Sequence, residues 1–143
     1  MAHIERSALV AFSDQQMFDL VNDIEAYPQY MDGCIGAQVL SRSDAQVTAR
    51  LDLSKLGMRY SFTTNNQLLP PVSMNMALVE GPFKQMSGIW EFKALAEKAC
   101  KVSLTLDFEF SSSLVAKAAG KWFESVANEL VDGLCRRAAQ VYS

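Results

Sequence analysis

Along residues 47–54, Val47, Ala49, Leu51 and Leu53 are apolar, and Thr48, Arg50, Asp52 and Ser54 between them are polar. Successive side chains of a strand point to opposite faces, so this alternation predicts a strand with one dry and one wet side. Met58, Tyr60 and Phe62 repeat the pattern, as do Val72, Met74, Met76 and Leu78, then Trp90 and Phe92, then Leu104, Leu106, Phe108 and Phe110. Leu56-Gly57, Pro70-Pro71, Gly81-Pro82 and Glu97-Lys98 supply turn signals between the runs. Short connections between half-buried strands predict an antiparallel meander.

The period changes at both ends of this region. Ile4 to Phe12 is rich in β-branched and apolar residues and predicts an N-terminal strand. Ser13 followed three residues later by Gln16 has the form of a capping box, so a helix is predicted to start there. Met17, Phe18, Leu20, Val21 and Ile24 form its apolar face, and it should end before Pro28. Residues 27–33 read as a turn-rich connection with room for one short helical turn.

From about Ser113 to Tyr142 there is no proline, and Leu114, Val115, Ala118, Ala119, Trp122, Phe123, Val126, Ala127, Leu130, Val131, Leu134, Ala138 and Val141 recur at helical spacing. A helix of this length runs roughly 40 Å, enough to cross a whole sheet face. Gly120 marks a close approach or a slight bend within it. The order strand, helix, about six strands, long helix defines an α+β fold in which one apolar sheet face meets one apolar helix stripe. Where the two surfaces do not meet, a cleft for an apolar ligand is expected.

Length and composition narrow this picture. With 143 residues, half of them hydrophobic, a single domain spanning 1–143 is expected. No apolar run approaches the roughly 20 residues that cross a bilayer, and the N-terminus lacks the pattern of a secretion signal, so a cytoplasmic protein is expected. Cys34, Cys100 and Cys135 are far apart, without a C-x-x-C pair, and read as free thiols with no metal to bind. The net charge of −3 argues against DNA as a partner and against general RNA affinity. A local basic patch would have to be gathered by the fold from Lys55, Arg59, Lys84, Lys117, Lys121, Arg136 and Arg137.

Catalysis is not expected. The one histidine, His3, lies near the terminus. Arg50, Asp52, Asp107 and Glu109 fall on the wet strand face, and Tyr60 is the one polar-tipped side chain assigned to the interior. No required cofactor follows from the residues.

The segment Leu20-Val21-Asn22-Asp23-Ile24-Glu25-Ala26-Tyr27-Pro28-Gln29-Tyr30-Met31-Asp32-Gly33-Cys34 resembles a signature of the START-like coenzyme Q-binding and polyketide cyclase-like family. Glu80-Gly81-Pro82-Phe83-Lys84-Gln85-Met86-Ser87-Gly88-Ile89-Trp90-Glu91-Phe92 is similar to its second signature, and Leu106-Asp107-Phe108-Glu109-Phe110 to its last strand. Asp32 stands where many relatives carry proline. Within the family, the chain is most similar to the bacterial branch of ribosome association toxins.

The resemblance implies a helix-grip, START/Bet v 1-like fold around an elongated apolar cavity. It implies two functions. The first is non-catalytic binding of ubiquinone or another hydrophobic molecule such as a prenylated quinone, in support of respiration. The alternative is binding of the large ribosomal subunit, which blocks subunit association. For the first, the candidate wall comprises Tyr60, Met74, Met76, Phe83, Met86, Trp90 and Phe108 from the sheet, and Val115, Ala119, Trp122 and Val126 from the helix. Ala118, Ala119 and Gly120 are expected to make room, as is Gly88 between Met86 and Trp90. Few interior polar groups are expected, and hence weak polar selectivity. For the alternative, Lys55, Arg59, Lys84, Lys117 and Lys121 are the surface candidates.

Overall fold

The structure, a computed structural model, describes residues 2–55 and 57–142. Strand β1 (Ala2–Val10) leads into helix α1 (Asp14–Asn22) and a 3-10 segment (Ile24–Gln29). Six strands follow: β2 (Cys34–Arg42), β3 (Gln46–Lys55), β4 (Met58–Leu69), β5 (Ser73–Glu80), β6 (Phe83–Ala96) and β7 (Ala99–Phe110). Helix α2 (Ser113–Tyr142) closes the chain. All strands form one antiparallel sheet in the order β1-β7-β6-β5-β4-β3-β2, the meander that the alternation predicts, with β1 added beside β7. Of the turn signals, Leu56 lies outside the described residues, while Gly57 beside it takes φ +81°. The others fall in or beside connections between strands.

The first helix begins as its sequence dictates. The Gln16 backbone N–H donates to Ser13 Oγ at 3.1 Å, and the Ser13 N–H donates to Gln16 Oε1 at 2.9 Å. Two otherwise orphaned donors are thereby satisfied at the helix start. Met17, Phe18, Leu20 and Val21 then point into the core. The tyrosine-proline connection is the short 3-10 segment, with Pro28 inside it. Tyr27, buried, anchors this segment by donating its hydroxyl to the Val21 carbonyl near the end of α1. The next tyrosine is different: the buried Tyr30 hydroxyl has no hydrogen-bond partner, and the Arg137 guanidinium lies 5.3 Å from the ring centre.

These two tyrosines give opposite expectations for removal of one oxygen. Tyr27→Phe leaves the Val21 carbonyl without its side-chain donor and should cost about 1–2 kcal/mol. Tyr30→Phe removes a hydroxyl that already lacks a partner and should change stability by less than about 0.5 kcal/mol, or raise it. Urea unfolding of the two variants checks this; equal losses would contradict the hydrogen-bond assignment.

Helix α2 buries a narrower stripe than its sequence predicts. Ala119, Phe123, Ala127, Val131, Leu134 and Ala138 are buried, at steps of three and four. Leu114 is 76% exposed, Val141 is 48% exposed, Ala118 is exposed and Val115 is half-buried. The first turns and the last therefore reach past the surface that covers the middle of the helix. Gly120 faces Phe110, whose Cε2 would lie 3.8 Å from an added Cβ. Gly88 does admit close neighbours: an added Cβ would meet Met76 Cε at 2.8 Å and Leu106 Cδ1 at 2.9 Å.

The core has two regions. At one, α1 lies between sheet and α2, and Met17, Phe18 and Val21 pack with Met74, Trp90, Phe92, Leu104, Val131 and Leu134. At the other, no α1 intervenes, and Phe83, Met86, Phe108, Phe123 and Ala127 pack together between sheet and α2. Gly81 belongs to this second region. An added Cβ there would sit 2.7 Å from Phe62 Cβ, so the turn into β6 can be this tight only without a side chain.

Candidate ligand cavity and basic end

Between sheet and α2, in the region that α1 leaves open, lies a cavity of about 100 Å³. Strand β3 contributes Ala49, Leu51 and Leu53; β4 contributes Phe62, Thr64 and Asn66. Met76, Met86, Trp90 and Leu106 form the floor further across the sheet. Phe123, Val126, Ala127 and Leu130 come from the helix, and Ile24, Tyr27, Met31, Asp32 and Cys34 close the side near the 3-10 segment. One water needs on the order of 10–15 Å³, and an apolar cavity of about 150 Å³ takes benzene. The enclosed space is therefore of the order of a single ring.

Of the sequence candidates, Met76, Met86, Trp90 and Val126 line this cavity. Tyr60, Phe83, Ala119 and Trp122 surround a second hollow of only about 10 Å³ nearer the start of α2. Met74 and Phe108, each 1% exposed, pack in filled core, and Val115 lines neither space. Ala49 and Ala127 are the small residues of the cavity lining, which does not include Ala118, Ala119 or Gly120. Alternation along β4 turns Phe62, Thr64 and Asn66 to the same face, but the polar types of the last two hide that placement from a hydropathy reading.

The chemistry inside is sparse. Thr64 Oγ1 donates to Asn66 Oδ1 at 2.9 Å. Cys34 Sγ donates to the Gly36 carbonyl at 3.4 Å, and burial pushes its thiol pKa up, which keeps it protonated and unreactive. Burial likewise drives the Tyr27 hydroxyl well above its ordinary range. Asp32 is the one charged residue of the wall among the described residues. No acid and base converge on a common point within it.

Two polar clusters lie on the outer face. Asp52 accepts from Ser61 Oγ at 2.5 Å and from Arg50 Nε at 3.0 Å, and these contacts, the Ser61 bond first, hold its carboxyl below the usual range. His3 Nδ1 lies 2.5 Å from Asp107 Oδ1 across the β1–β7 pair. That hydrogen bond, followed by the attraction of the carboxylate, raises the imidazole above its ordinary 6.5. Its stabilising effect is therefore complete below pH 6.5 and is lost as pH rises through the folded-state value. An NMR titration of His3 should give a midpoint above 6.5 that falls in Asp107→Asn; an unchanged midpoint would remove the contact.

The basic candidates gather in part. Arg59 precedes Tyr60, Lys84 follows Phe83, and Lys121 precedes Trp122. Tyr60 and Trp122 have ring centres 6.2 Å apart, and Phe83 and Phe123 have theirs 5.1 Å apart. These ring contacts bring the backbone at the three positions, with Lys117 one turn earlier on α2, toward one end of the molecule, where alternation turns the Arg59 and Lys84 side chains to the sheet face opposite the inward rings. All four are exposed, and among the described residues Lys84, Lys117 and Lys121 form no ion pair. The side chain of Lys55 lies outside the described residues. Arg136 and Arg137 sit toward the other end of α2, where Arg137 donates to Gln29 Oε1 at 3.0 Å.

A curved antiparallel sheet around a C-terminal helix, with an apolar space between them, is the helix-grip arrangement. The sequence profile of the polyketide cyclase / dehydrase and lipid transport family matches residues 10–135, and the chain belongs to that family. It is 51% identical over 142 residues to the ribosome association toxin RatA of Vibrio cholerae, covering 99% of both chains. It is 44% identical over 143 residues to RatA of Escherichia coli K12, covering 100% of this chain and 90% of that one. A more distant relative is the mitochondrial coenzyme Q-binding protein COQ10 homolog B of Xenopus laevis, 24% identical over 95% of this chain and 57% of that protein. Among solved structures, a Thermus thermophilus protein has a TM-score of 0.84 at 19% identity, covering 99% of this chain and 100% of that one. The Zhui aromatase/cyclase of Streptomyces sp. R1128 has a TM-score of 0.82 at 19% identity, covering 97% and 94%. These two likenesses carry the fold alone.

Proposed function

We propose that this protein acts by associating with the ribosome, through the large subunit, and not by catalysis. The observation that carries the reading is full-length similarity, at 51% identity, to a protein named for ribosome association. It inverts the order of the two functions that the sequence resemblance offers, since the cavity is small and the relatives at 44% identity or above carry the toxin name. The surface that suits such a partner is the basic end bearing Arg59, Lys84, Lys117 and Lys121, because ribosomal RNA presents phosphates to any protein that docks on it. Co-sedimentation of the purified protein with separated ribosomal subunits tests the reading. Pelleting with the large subunit is expected; pelleting with neither would overturn it.

A second reading stands on the cavity. Its walls are apolar almost throughout, and a relative is named for coenzyme Q binding, which supports an apolar ligand held between sheet and helix. Burial there would contribute about 25 cal/mol per Å² of ligand surface. Ala127→Leu fills the space from the helix side and should weaken binding of a ring-sized hydrocarbon such as ethylbenzene by at least about tenfold, with stability changed by less than about 1.5 kcal/mol. Ribosome co-sedimentation of the same variant should be unaffected, since the basic end is left intact. Titration calorimetry and sedimentation measured side by side separate the two functions; unchanged ethylbenzene affinity would sink the second.

A further inference from the structure

Neither ribosome association nor apolar burial accounts for the polar pair in the cavity wall. Asparagine is depleted in strands, and a buried amide that lacks partners costs stability. Asn66 nevertheless sits within β4 at 4% exposure, and Thr64 at 7%. Their cross-strand neighbours cannot serve them: Asn66 lies between Val47 and Met76, and Thr64 between Ala49 and Leu78. The two serve each other instead, through the Thr64 Oγ1 to Asn66 Oδ1 bond of 2.9 Å. In this arrangement the bond engages the amide oxygen and leaves the Nδ2 end directed away from Thr64. The Nδ2 donors of Asn66 are left without a protein partner among the described residues, in a wall that is otherwise almost wholly apolar.

A free N–H donor in an apolar, ring-sized space complements an apolar body that carries a hydrogen-bond acceptor. A carboxylate does not meet this description. No cation lines the cavity to offset the loss of its hydration, and the one charged residue there, Asp32, is acidic. We propose that Asn66, positioned by Thr64, makes the cavity selective for neutral carbonyl compounds of the ketone, quinone or ester class over hydrocarbons of the same shape. The proposal rests on the cavity reading and adds to it a specificity residue. It also reverses the expectation of weak polar selectivity, which assigned Tyr60 alone to the interior.

Acetophenone and ethylbenzene make a matched pair of probes, alike in shape and differing in the carbonyl oxygen. In the intact protein, Asn66→Leu should weaken acetophenone about three- to tenfold, the range of one net hydrogen bond, and leave ethylbenzene unchanged or tighter. Thr64→Val removes the bond to the amide oxygen and should shrink the ratio between the two probes without removing ethylbenzene binding. In the unsubstituted protein, the Asn66 side-chain amide resonances should shift with acetophenone and not with ethylbenzene, a readout that does not depend on any variant folding. Equal effects of Asn66→Leu on both probes, or equal responses of the Asn66 resonances to both, would overturn the selectivity while leaving the cavity reading in place. Failure of both probes to bind the unsubstituted protein at millimolar concentration would overturn the cavity reading, and this proposal with it.

Discussion

Phe123→Ala is expected to lower stability by about 3–5 kcal/mol, the range for removing a large aromatic from a packed core. The ring lies where four other aromatic side chains converge. Phe108 is 4.8 Å away between ring centres, Phe83 5.1 Å, Phe110 5.9 Å and Phe62 6.3 Å, with interplanar angles between 60° and 82°. Such edge-to-face contacts add to the burial itself. The cavity next to the ring makes the loss larger, since the new void adjoins space that is already empty and cannot collapse cheaply. Trp122 beside it is half-buried and, among the described residues, has a ring contact with Tyr60 alone, so Trp122→Ala should cost less than half as much, about 1.5 kcal/mol. Urea unfolding of both variants decides: similar losses, or a Phe123→Ala loss below about 1 kcal/mol, would contradict this account of the helix–sheet contact.

Binding to the large ribosomal subunit should fall roughly 100-fold between 50 and 200 mM salt if the four exposed basic residues of the proposed surface each neutralise one phosphate. The estimate follows from counterion release, in which the logarithm of affinity declines linearly with that of salt and each phosphate contributes about 0.7 to 0.9 to the slope. Replacing Lys84 and Lys121 by glutamine should reduce the slope by about 1.4 to 1.8 and weaken binding at 50 mM salt, with the fold intact because both side chains are exposed. The readout is sedimentation across a salt series. A slope unchanged by the double substitution would move the contact surface away from this end, and salt-independent binding would contradict a phosphate contact altogether.

The hydropathy pattern carries most of the architecture but not the cavity. Strands β3 to β7 are legible because each keeps a dry face over several consecutive pairs of residues. Strand β2 is less so: its pairing with β3 shifts register after Cys34 and after Val39, and each shift breaks the alternation that a strand would otherwise show. The stripe of α2 misleads at its ends, because periodicity marks the face that turns inward without saying how far the sheet extends beneath it. Thr64 and Asn66 are hidden for the opposite reason. They continue the inward register of Phe62, yet the run Thr63-Thr64-Asn65-Asn66 contains no apolar residue to reveal it. Nor does sequence tell Met74, in filled core, from Met76, at the cavity wall. The difference is made by α1, which packs over one part of the sheet and stops short of the other.

The pairing of β1 with β7 also sets the order in which the protein can be completed. Ala2 to Val10 must wait for Phe108 to Cys100, so the first strand made joins the sheet only after nearly all the others exist. Contacts this distant in sequence slow folding, because the loop they close must be ordered before they contribute. The concave face waits longer still. Until residues 119–138 of α2 are available, the phenylalanines of β4, β6 and β7 have water where the helix will lie. A chain halted at residue 112 would hold every strand with only α1 as cover, an aggregation-prone intermediate, and release of α2 becomes the step that turns a sticky sheet into a stable protein.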